Sequence, residues 1–220
     1  MLFDLRSRGR RRTVQVTYLG LALLMGGGLV LFGVGTGAGG GGLLNGLGGG
    51  GANNQKQVVG QQEKTALRAT AVRPSDPQAW GSLLQTRWTS AGQAPNFNAS
   101  TQSFTSTGRK ELTGAAQAWQ RYLQLTAHPD PNLAVLAARA YAALGDYANE
   151  ASAWENVTLA NPSEAKGFEC LAASAYAAHQ THKGDLATTK AISLVPKVRQ
   201  FEIKQALTQA KTQPQIAQQC

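Results

Sequence analysis

The chain has 220 residues and a formal net charge of +9, which leaves room for one domain and an anchor. Five arginines stand against Asp4 in residues 1–12, so the rest of the chain carries only a mild basic surplus. Because no cluster of Lys or Arg interleaved with aromatics follows Arg12, we expect no nucleic-acid partner.

An uncharged and strongly apolar run extends from Val14 to Val34, directly after the basic N-terminus. Its length matches the roughly 20 residues that an α-helix needs to cross the hydrocarbon core of a bilayer. The pattern predicts one transmembrane helix over residues 13–34, with the lipid bilayer as its partner.

The charges on either side of this run predict its orientation. Residues 1–12 are basic, whereas no charge occurs between Thr13 and Gln55. The positive-inside bias therefore places the N-terminus in the cytoplasm and the C-terminal domain outside it. A cleaved signal peptide ending near Ala38 is the alternative, although its apolar part rarely exceeds about 15 residues.

The anchor and the segment after it carry two further signals. Two short stretches carry a resemblance, namely Phe3 to Arg6 and the end of the apolar run, Phe32-Gly33-Val34-Gly35. They resemble the anchor of bacterial membrane-tethered chaperones of the SurA and PpiD type. The resemblance covers only the anchor, and it implies a single-pass protein of a bacterial cell membrane. Residues 35–53 are mostly glycine, which predicts a flexible linker because they bury too little surface to become ordered.

The composition becomes helical from about residue 54 and stays so to residue 211. Apolar residues at helical spacing predict one helix over residues 55–72. A second helix is predicted to start at Asp76 and Pro77, because an Asp cap followed by Pro is a typical helix start.

An insertion loop is predicted over about residues 91–109, which are rich in Asn, Ser, Thr and Gly. A helix resumes at about Glu111. Such a long loop inside a helical unit is typical of a functional or mobile segment. Its Phe97 and Phe104 could either fold over the domain or serve a partner.

The clearest pattern lies between Pro131 and Pro162. Apolar and small residues recur there at three- and four-residue spacing, and Gly145 and Asp146 interrupt them once. This predicts a helix, a tight turn and a second helix. Glu150 falls where a small residue is expected, so the hairpin could be slightly re-registered.

A family resemblance is carried by the small, aromatic and helix-ending residues of this hairpin: Ala138, Tyr141, Gly145, Tyr147, Trp154 and Pro162. Their spacing resembles the tetratricopeptide repeat, and the interval from Pro162 to Pro196 repeats that family's 34-residue period. The resemblance implies an all-α domain of about three helical hairpins stacked as an α-solenoid. A helix over residues 197–211 would cover its open end.

The second interval and the end of the chain carry weaker patterns. Between Pro162 and Pro196 we expect a first helix that ends near His179, then a long turn over residues 180–185 and then a short helix. Residues 212–220 are polar and predict a disordered tail. Cys170 is expected in the core and Cys220 as a free thiol in that tail, with a bridge between them as the alternative outside the cytosol.

No catalytic arrangement is visible in the sequence. His179 and His182 have no nearby carboxylate or cysteine to complete a metal site, and no nucleophile elbow occurs. The Gly-rich linker lacks the Gly-Lys-Ser/Thr ending of a phosphate loop. We therefore expect no enzymatic activity, no cofactor, no metal and no small-molecule substrate.

The resemblance to tetratricopeptide repeats implies a groove along the first helices of the hairpins, which takes a protein or peptide partner. Carried over to this chain, the groove would be lined by residues of three helices: Gln78, Gln85, Trp88, Asn132, Val135, Arg139, Lys166, Glu169, Ala173 and Tyr176. A solvated helix face without a ligand is the alternative reading of these residues.

The expected function is therefore that of a membrane-anchored, extracytoplasmic scaffold or adaptor for protein–protein interaction. The resemblance of the anchor implies an alternative, a chaperone-like helper for exported proteins near the Sec translocon. Binding of denatured chains without sequence preference would favour the helper, whereas capture of one stoichiometric partner would favour the adaptor.

Overall fold

The computed structural model describes residues 52–220, with side chains described from residue 58 onward. The predicted N-terminal segment and transmembrane helix (residues 1–12 and 13–34) lie outside the described residues, as does the predicted linker (residues 35–53) except for its last two residues, which are helical. Within the described part the chain is mostly helical, which confirms the all-α prediction at that level. A search of these helices found none long and apolar enough to cross a bilayer.

The described part contains eight α-helices, one short 3₁₀ helix and one two-stranded ribbon, in the following order along the chain. They are α1 Ala52–Val72, α2 Pro77–Ala91, β1 Phe97–Asn98, β2 Ser103–Phe104, α3 Ser106–Leu123, α4 Pro131–Leu144, α5 Tyr147–Ala160, α6 Ala165–Ala177, α7 Thr181–Ser193, α8 Lys197–Ala210 and the 3₁₀ helix Pro214–Gln219.

Aspartate caps fix the starts of the first helices of two hairpins. The carboxylate of Asp76 accepts a hydrogen bond from the Gln78 backbone N–H at 2.9 Å, and that of Asp130 accepts one from Asn132 at 2.8 Å. Both caps are followed by a proline whose fixed φ suits the first helical turn. Each Asp-Pro pair therefore fixes the residue at which its helix begins, Pro77 for α2 and Pro131 for α4.

The helices pack in chain order as hairpins. Helix α2 packs on α3, α4 on α5 and α6 on α7, while α3 contacts α4, α5 contacts α6, and α8 contacts α6 and α7. Buried alanines and aromatics run through the whole stack in one continuous core that includes Trp119, Ala138 and Trp154. Small residues let neighbouring helices approach, and the aromatics fill the space beside them.

The insertion is shorter and more ordered than the sequence suggests. Thr105 caps α3 by accepting a hydrogen bond from the Gly108 backbone N–H at 3.3 Å, so this helix begins at Ser106. The ribbon pairs Phe97 with Phe104, whose rings meet edge to face at 5.0 Å. Phe104 also packs beside α2, so the loop folds back onto the domain.

The turn between α6 and α7 differs from the expectation of a long loop over residues 180–185. His179 adopts a left-handed φ of 59°, and the Gln180 backbone N–H donates to the Ala175 carbonyl at 2.8 Å. Helix α7 starts immediately afterwards, at Thr181. The expected long turn is wrong because His179 takes a backbone conformation that usually signals glycine.

The expected disordered tail and free thiol are also wrong. Residues 213–220, which we call the docked segment, form a 3₁₀ turn whose Ala217 is fully buried. Ile216 packs against the core, and Cys220 forms a disulfide with Cys170 of α6. One aliphatic side chain, one small residue and one covalent bond therefore order a segment that is otherwise polar.

Candidate partner-binding groove

The first helices of the hairpins form one side of the stack. Helix α2 packs against α4, helix α6 packs against α8, and the docked segment contacts α4, α6 and α8. We call the surface shared by these four helices the groove. Its half over α2 and α4 is the open half, and its half over α6 and α8, beneath the docked segment, is the covered half.

The open half begins with a cleft of about 340 Å³ between the starts of α2 and α4. Gln78 and Gln85 line it from α2, as the sequence predicts, and both are exposed. Leu133 of α4 and Tyr122 of α3 form its apolar wall. The cleft therefore combines two amides and the Asp130 carboxylate with an apolar wall.

A larger cleft of about 640 Å³ lies at the other end of α2 and α4. Two predicted residues meet there, the half-buried Trp88 and the exposed Arg139. Phe104 and Arg109 join them from the insertion and from α3, and Cys220 borders the same cleft. Aromatic surface and guanidinium groups are thus brought together by residues that are far apart in sequence.

The two arginines make this cleft electropositive. Arg109 donates to the carbonyl oxygens of Ala143 and Leu144 at 3.3 Å each, at the C-terminal end of α4 where the helix dipole favours a cation. The Arg139 Nε–H donates to the main-chain oxygen of Cys220 at 3.4 Å. No Asp or Glu side chain occurs among the described residues that line the cleft, so no acidic side chain there offsets the two arginines.

The covered half contains a cleft of about 230 Å³ that includes three predicted residues. Lys166 is exposed and lies 4.0 Å from the partly buried Glu169, one helical turn further along α6. Ala173 is only 3% exposed. The docked segment closes this side with Ile216, so much of the predicted surface already has an occupant.

Three predicted groove residues lie elsewhere. Tyr176 is buried, and its hydroxyl is within hydrogen-bond distance of Asp185 (2.8 Å) and Thr188 (2.9 Å), so it faces α7. Val135 is partly buried and packs against the core. Asn132 is exposed but lines none of the three clefts described above.

Several groove residues are missed by reasoning from the sequence. Arg109 belongs to the first turn of α3, which the repeat pattern does not cover, whereas the sequence singles out Phe104 in the insertion without assigning it to the groove. Gln218 and Cys220 belong to a segment that its polar composition presents as disordered. The pair of cysteines is the one signal that could have pointed to the docked segment, since outside the cytosol they could bridge.

A buried carboxyl lies behind the groove, near the start of α5. Glu150 is fully buried, and its Oε1 accepts a hydrogen bond from the Trp154 indole N–H at 3.4 Å, whereas its Oε2 has no hydrogen-bond partner among the side chains and backbone that the structure describes. Removal from water raises the pKa of Glu150 to about 8, although the Trp154 hydrogen bond acts in the opposite direction. The carboxyl is therefore mainly protonated at neutral pH.

Among residues with described side chains, no three His, Cys, Asp or Glu side chains come together as a metal site. Comparisons with protein-family models, curated proteins and solved structures gave no match. The function of the groove is therefore inferred from the residues and geometry of the chain.

Proposed function

We propose that the chain is a membrane-anchored, extracytoplasmic, tetratricopeptide-like scaffold or adaptor that binds a partner protein in its groove. The observation that carries the proposal is the electropositive, aromatic cleft between α2 and α4. It is a concave surface of the kind that stacked helical hairpins use to hold peptides or helices. No catalytic role, cofactor or small-molecule substrate is part of the proposal.

The spacing of the hairpins supports the repeat-like part of the proposal. Helix α6 starts 34 residues after α4, at Ala165 against Pro131, and α7 starts 34 residues after α5, at Thr181 against Tyr147. This interval is the period of the tetratricopeptide repeat. A left-handed residue, Gly145 or His179, closes the first helix of each of these two hairpins.

The chemistry of the open half favours a particular kind of partner segment. Arg109 and Arg139 provide positive charge, while Trp88 and Phe104 provide aromatic surface beside it. A segment with carboxylates next to an apolar side chain would satisfy both features, because charge complementarity and buried aromatic anchors are the usual sources of specificity. The two clefts of the open half together would take such a segment along α2 and α4.

The location is supported by the chemistry of the cysteines. Disulfides persist in oxidising compartments and are rare in the cytosol. The Cys170–Cys220 bridge fits the topology predicted from the basic N-terminus and the Val14 to Val34 run, in which the helical stack lies outside the cytoplasm.

The test is co-purification from native membranes with variants of the groove. We expect Trp88→Ala and Arg139→Glu each to reduce recovery of a bound partner at least about tenfold, as for central interface residues. Leu159→Ala is the matched control, because Leu159 is 79% exposed on α5 and lines none of the clefts described here. Loss of the partner with the control as well, or retention with both groove variants, would contradict the proposal.

One observation favours the chaperone-like alternative. Val198 and Phe201 are 88% and 76% exposed, one turn apart on α8. Exposed apolar patches bind non-native chains as well as specific partners. If the alternative holds, Phe201→Ser will lower binding of a denatured model substrate, and Arg139→Glu will not.

A further inference from the structure

The docked segment occupies the covered half as a bound peptide would. Ala217 is fully buried, and Ile216 is partly buried against the core and lines the cleft of α6 and α8. Ile203 and Leu207 of α8 provide the opposite apolar wall. The segment therefore inserts one aliphatic anchor and one small residue between two helices.

Polar contacts hold the rest of the segment without any charged side chain of its own. The Gln218 side-chain amide donates to the Tyr147 hydroxyl at 3.0 Å, and Arg139 donates to the main-chain oxygen of Cys220 at 3.4 Å. Residues 213–220 contain four glutamines and no charged residue. The docked segment is thus a glutamine-rich peptide without charged side chains, which combines polar contacts to α4 and α5 with an aliphatic anchor in the covered half.

The disulfide fixes this peptide in place. Cys170 is fully buried in α6 and is 50 residues from Cys220 in sequence. Cys220 is partly exposed and borders the clefts on both halves of the groove. A reductant can therefore approach the bridge from the Cys220 side, while solvent does not reach Cys170.

Resting on the proposed binding function of the groove, we infer that the docked segment is an intramolecular ligand retained by the Cys170–Cys220 disulfide. Reduction of the bridge opens the covered half to a partner segment of the same chemistry, uncharged and glutamine-rich with one aliphatic anchor. The covered half then has a closed oxidised state and an accessible reduced state.

The step is a thiol–disulfide exchange with a dithiol reductant. One thiolate of the dithiol attacks the Cys220 sulfur, the S–S bond breaks, and the Cys170 sulfur leaves and takes up a proton. The second thiol of the reductant then displaces Cys220 from the mixed disulfide. The two cysteines gain two electrons and two protons in total, and the dithiol becomes a disulfide.

The size of the effect follows from competition. In the oxidised wild-type chain the disulfide and the buried Ala217 together hold the docked segment in place, so an external peptide finds no site in the covered half. In the reduced chain the segment stays tethered after α8 and still competes at a high effective concentration. We therefore expect apparent peptide affinity to rise at least about tenfold on reduction, limited by the fraction of chains with the segment released.

The experiment uses the full chain in detergent and a fluorescent peptide with the sequence of residues 212–220 carrying the Cys220→Ser change. Fluorescence anisotropy is measured with the oxidised chain, the dithiol-reduced chain and the Cys220→Ser chain. We expect saturable binding to the last two and at least about tenfold weaker binding to the first. Equal binding in all three states, or none in any, would overturn the inference.

A second pair of variants tests the segment with the cysteines intact. Ala217→Asp places a charge at a fully buried position of the segment and should open the covered half even in the oxidised chain. Gln215→Asp is the matched control, since Gln215 is exposed in the same segment and should leave the oxidised chain closed. Failure of Ala217→Asp to raise peptide binding above the Gln215→Asp level would count against an intramolecular ligand.

The failure of this inference can be told apart from failure of the proposed function. If a partner depends on Trp88 and Arg139 while the probe peptide binds equally to the oxidised and the reduced chain, the groove function stands and the redox step is wrong. If the probe peptide binds only the reduced chain while no partner depends on the groove residues, the redox step stands and the proposed function is wrong.

Discussion

The hairpins α4–α5 and α6–α7 have the same turn geometry but place large and small side chains at opposite positions. Each first helix ends at a left-handed residue, Gly145 with φ 80° in one and His179 with φ 59° in the other. In both, the next backbone N–H donates to a carbonyl five residues back, at 2.9 Å and 2.8 Å. The turn geometry is therefore conserved between the two hairpins although its residue is not.

Large and small residues exchange places between the two hairpins. The first carries Glu150 on α5 where the second, 34 residues later, carries Gly184 on α7. On the first helices, the equivalent positions are Ala142 and Tyr176. Gly184 lies against the Tyr176 ring with no space for a Cβ. The comparison teaches that one turn geometry accommodates Ala142 and Glu150 in the first hairpin, and Tyr176 and Gly184 in the second.

The largest expected effect concerns Glu150. Between the unfolded pKa near 4.5 and the folded pKa of about 8, the folded chain keeps a proton that the unfolded chain has lost. The free energy of unfolding should therefore fall as the pH rises, by up to about 1.4 kcal/mol per pH unit, and level off above pH 8. Glu150→Gln should remove most of this fall, because the amide does not titrate, while burial that raises the pKa of Glu111 leaves a smaller fall in the same direction.

The measurement is urea unfolding of the full chain at several pH values, followed by tryptophan fluorescence. It reports on the helical stack because all four tryptophans lie there: Trp80, Trp88, Trp119 and Trp154. Glu202→Gln, at an exposed position of α8, is the matched control and should keep the wild-type slope. An unchanged slope in Glu150→Gln would show that the buried carboxyl does not carry the pH dependence.

The second effect tests the close approach in the other hairpin. Gly184→Ala pushes a methyl group into the Tyr176 ring and should lower the free energy of unfolding by about 1–3 kcal/mol, the usual cost of overpacking. In a Tyr176→Ala background the same change should be neutral or stabilising by up to about 1 kcal/mol, because alanine is the better helix former. Equal losses in both backgrounds would mean that the two residues are not coupled.

A matched glycine sharpens this comparison. Gly60 lies in α1, and a Cβ added there meets nothing within 4 Å. Gly60→Ala should therefore leave stability unchanged or raise it by up to about 1 kcal/mol. If Gly60→Ala is as damaging as Gly184→Ala, the loss reflects something other than the Tyr176 contact.

The smallest effect concerns the left-handed turn residues. His179→Gly should stabilise the chain by about 0.5–1 kcal/mol, because glycine adopts a positive φ without the steric cost of a side chain. Gly145→Ala should destabilise it by about 1 kcal/mol for the same reason. The same fluorescence-detected unfolding measures both, and shifts of the same sign in the two variants would refute a common turn geometry.

The helices between Pro131 and Ser193 could be predicted because their apolar periodicity is regular and prolines mark their ends. The α6–α7 turn could not be predicted. Histidine rarely adopts a left-handed conformation, so His179 does not indicate a turn, whereas Gly184 suggests a turn although it lies inside α7. The start of α3 was missed because Thr105 is a cap amid other polar residues.

The candidate groove was predictable only in part. Gln78, Gln85, Trp88 and Arg139 line its open half as the repeat spacing implies. Tyr176 does not line the groove. Gly184 has no side chain, so the Tyr176 ring packs against it between α6 and α7. Other features of the groove, such as the disulfide, depend on contacts between distant parts of the chain. Such contacts produce no periodic pattern in the sequence.

Site-specific photocrosslinking in native membranes tests the central claim most directly. Photoreactive groups are placed at Gln85 and Arg139 in the groove and at Leu159 on the outer helix α5. The account predicts one dominant extracytoplasmic protein crosslinked from both groove positions and absent from Leu159. Equal capture from Leu159, or capture of cytoplasmic proteins alone, would contradict it.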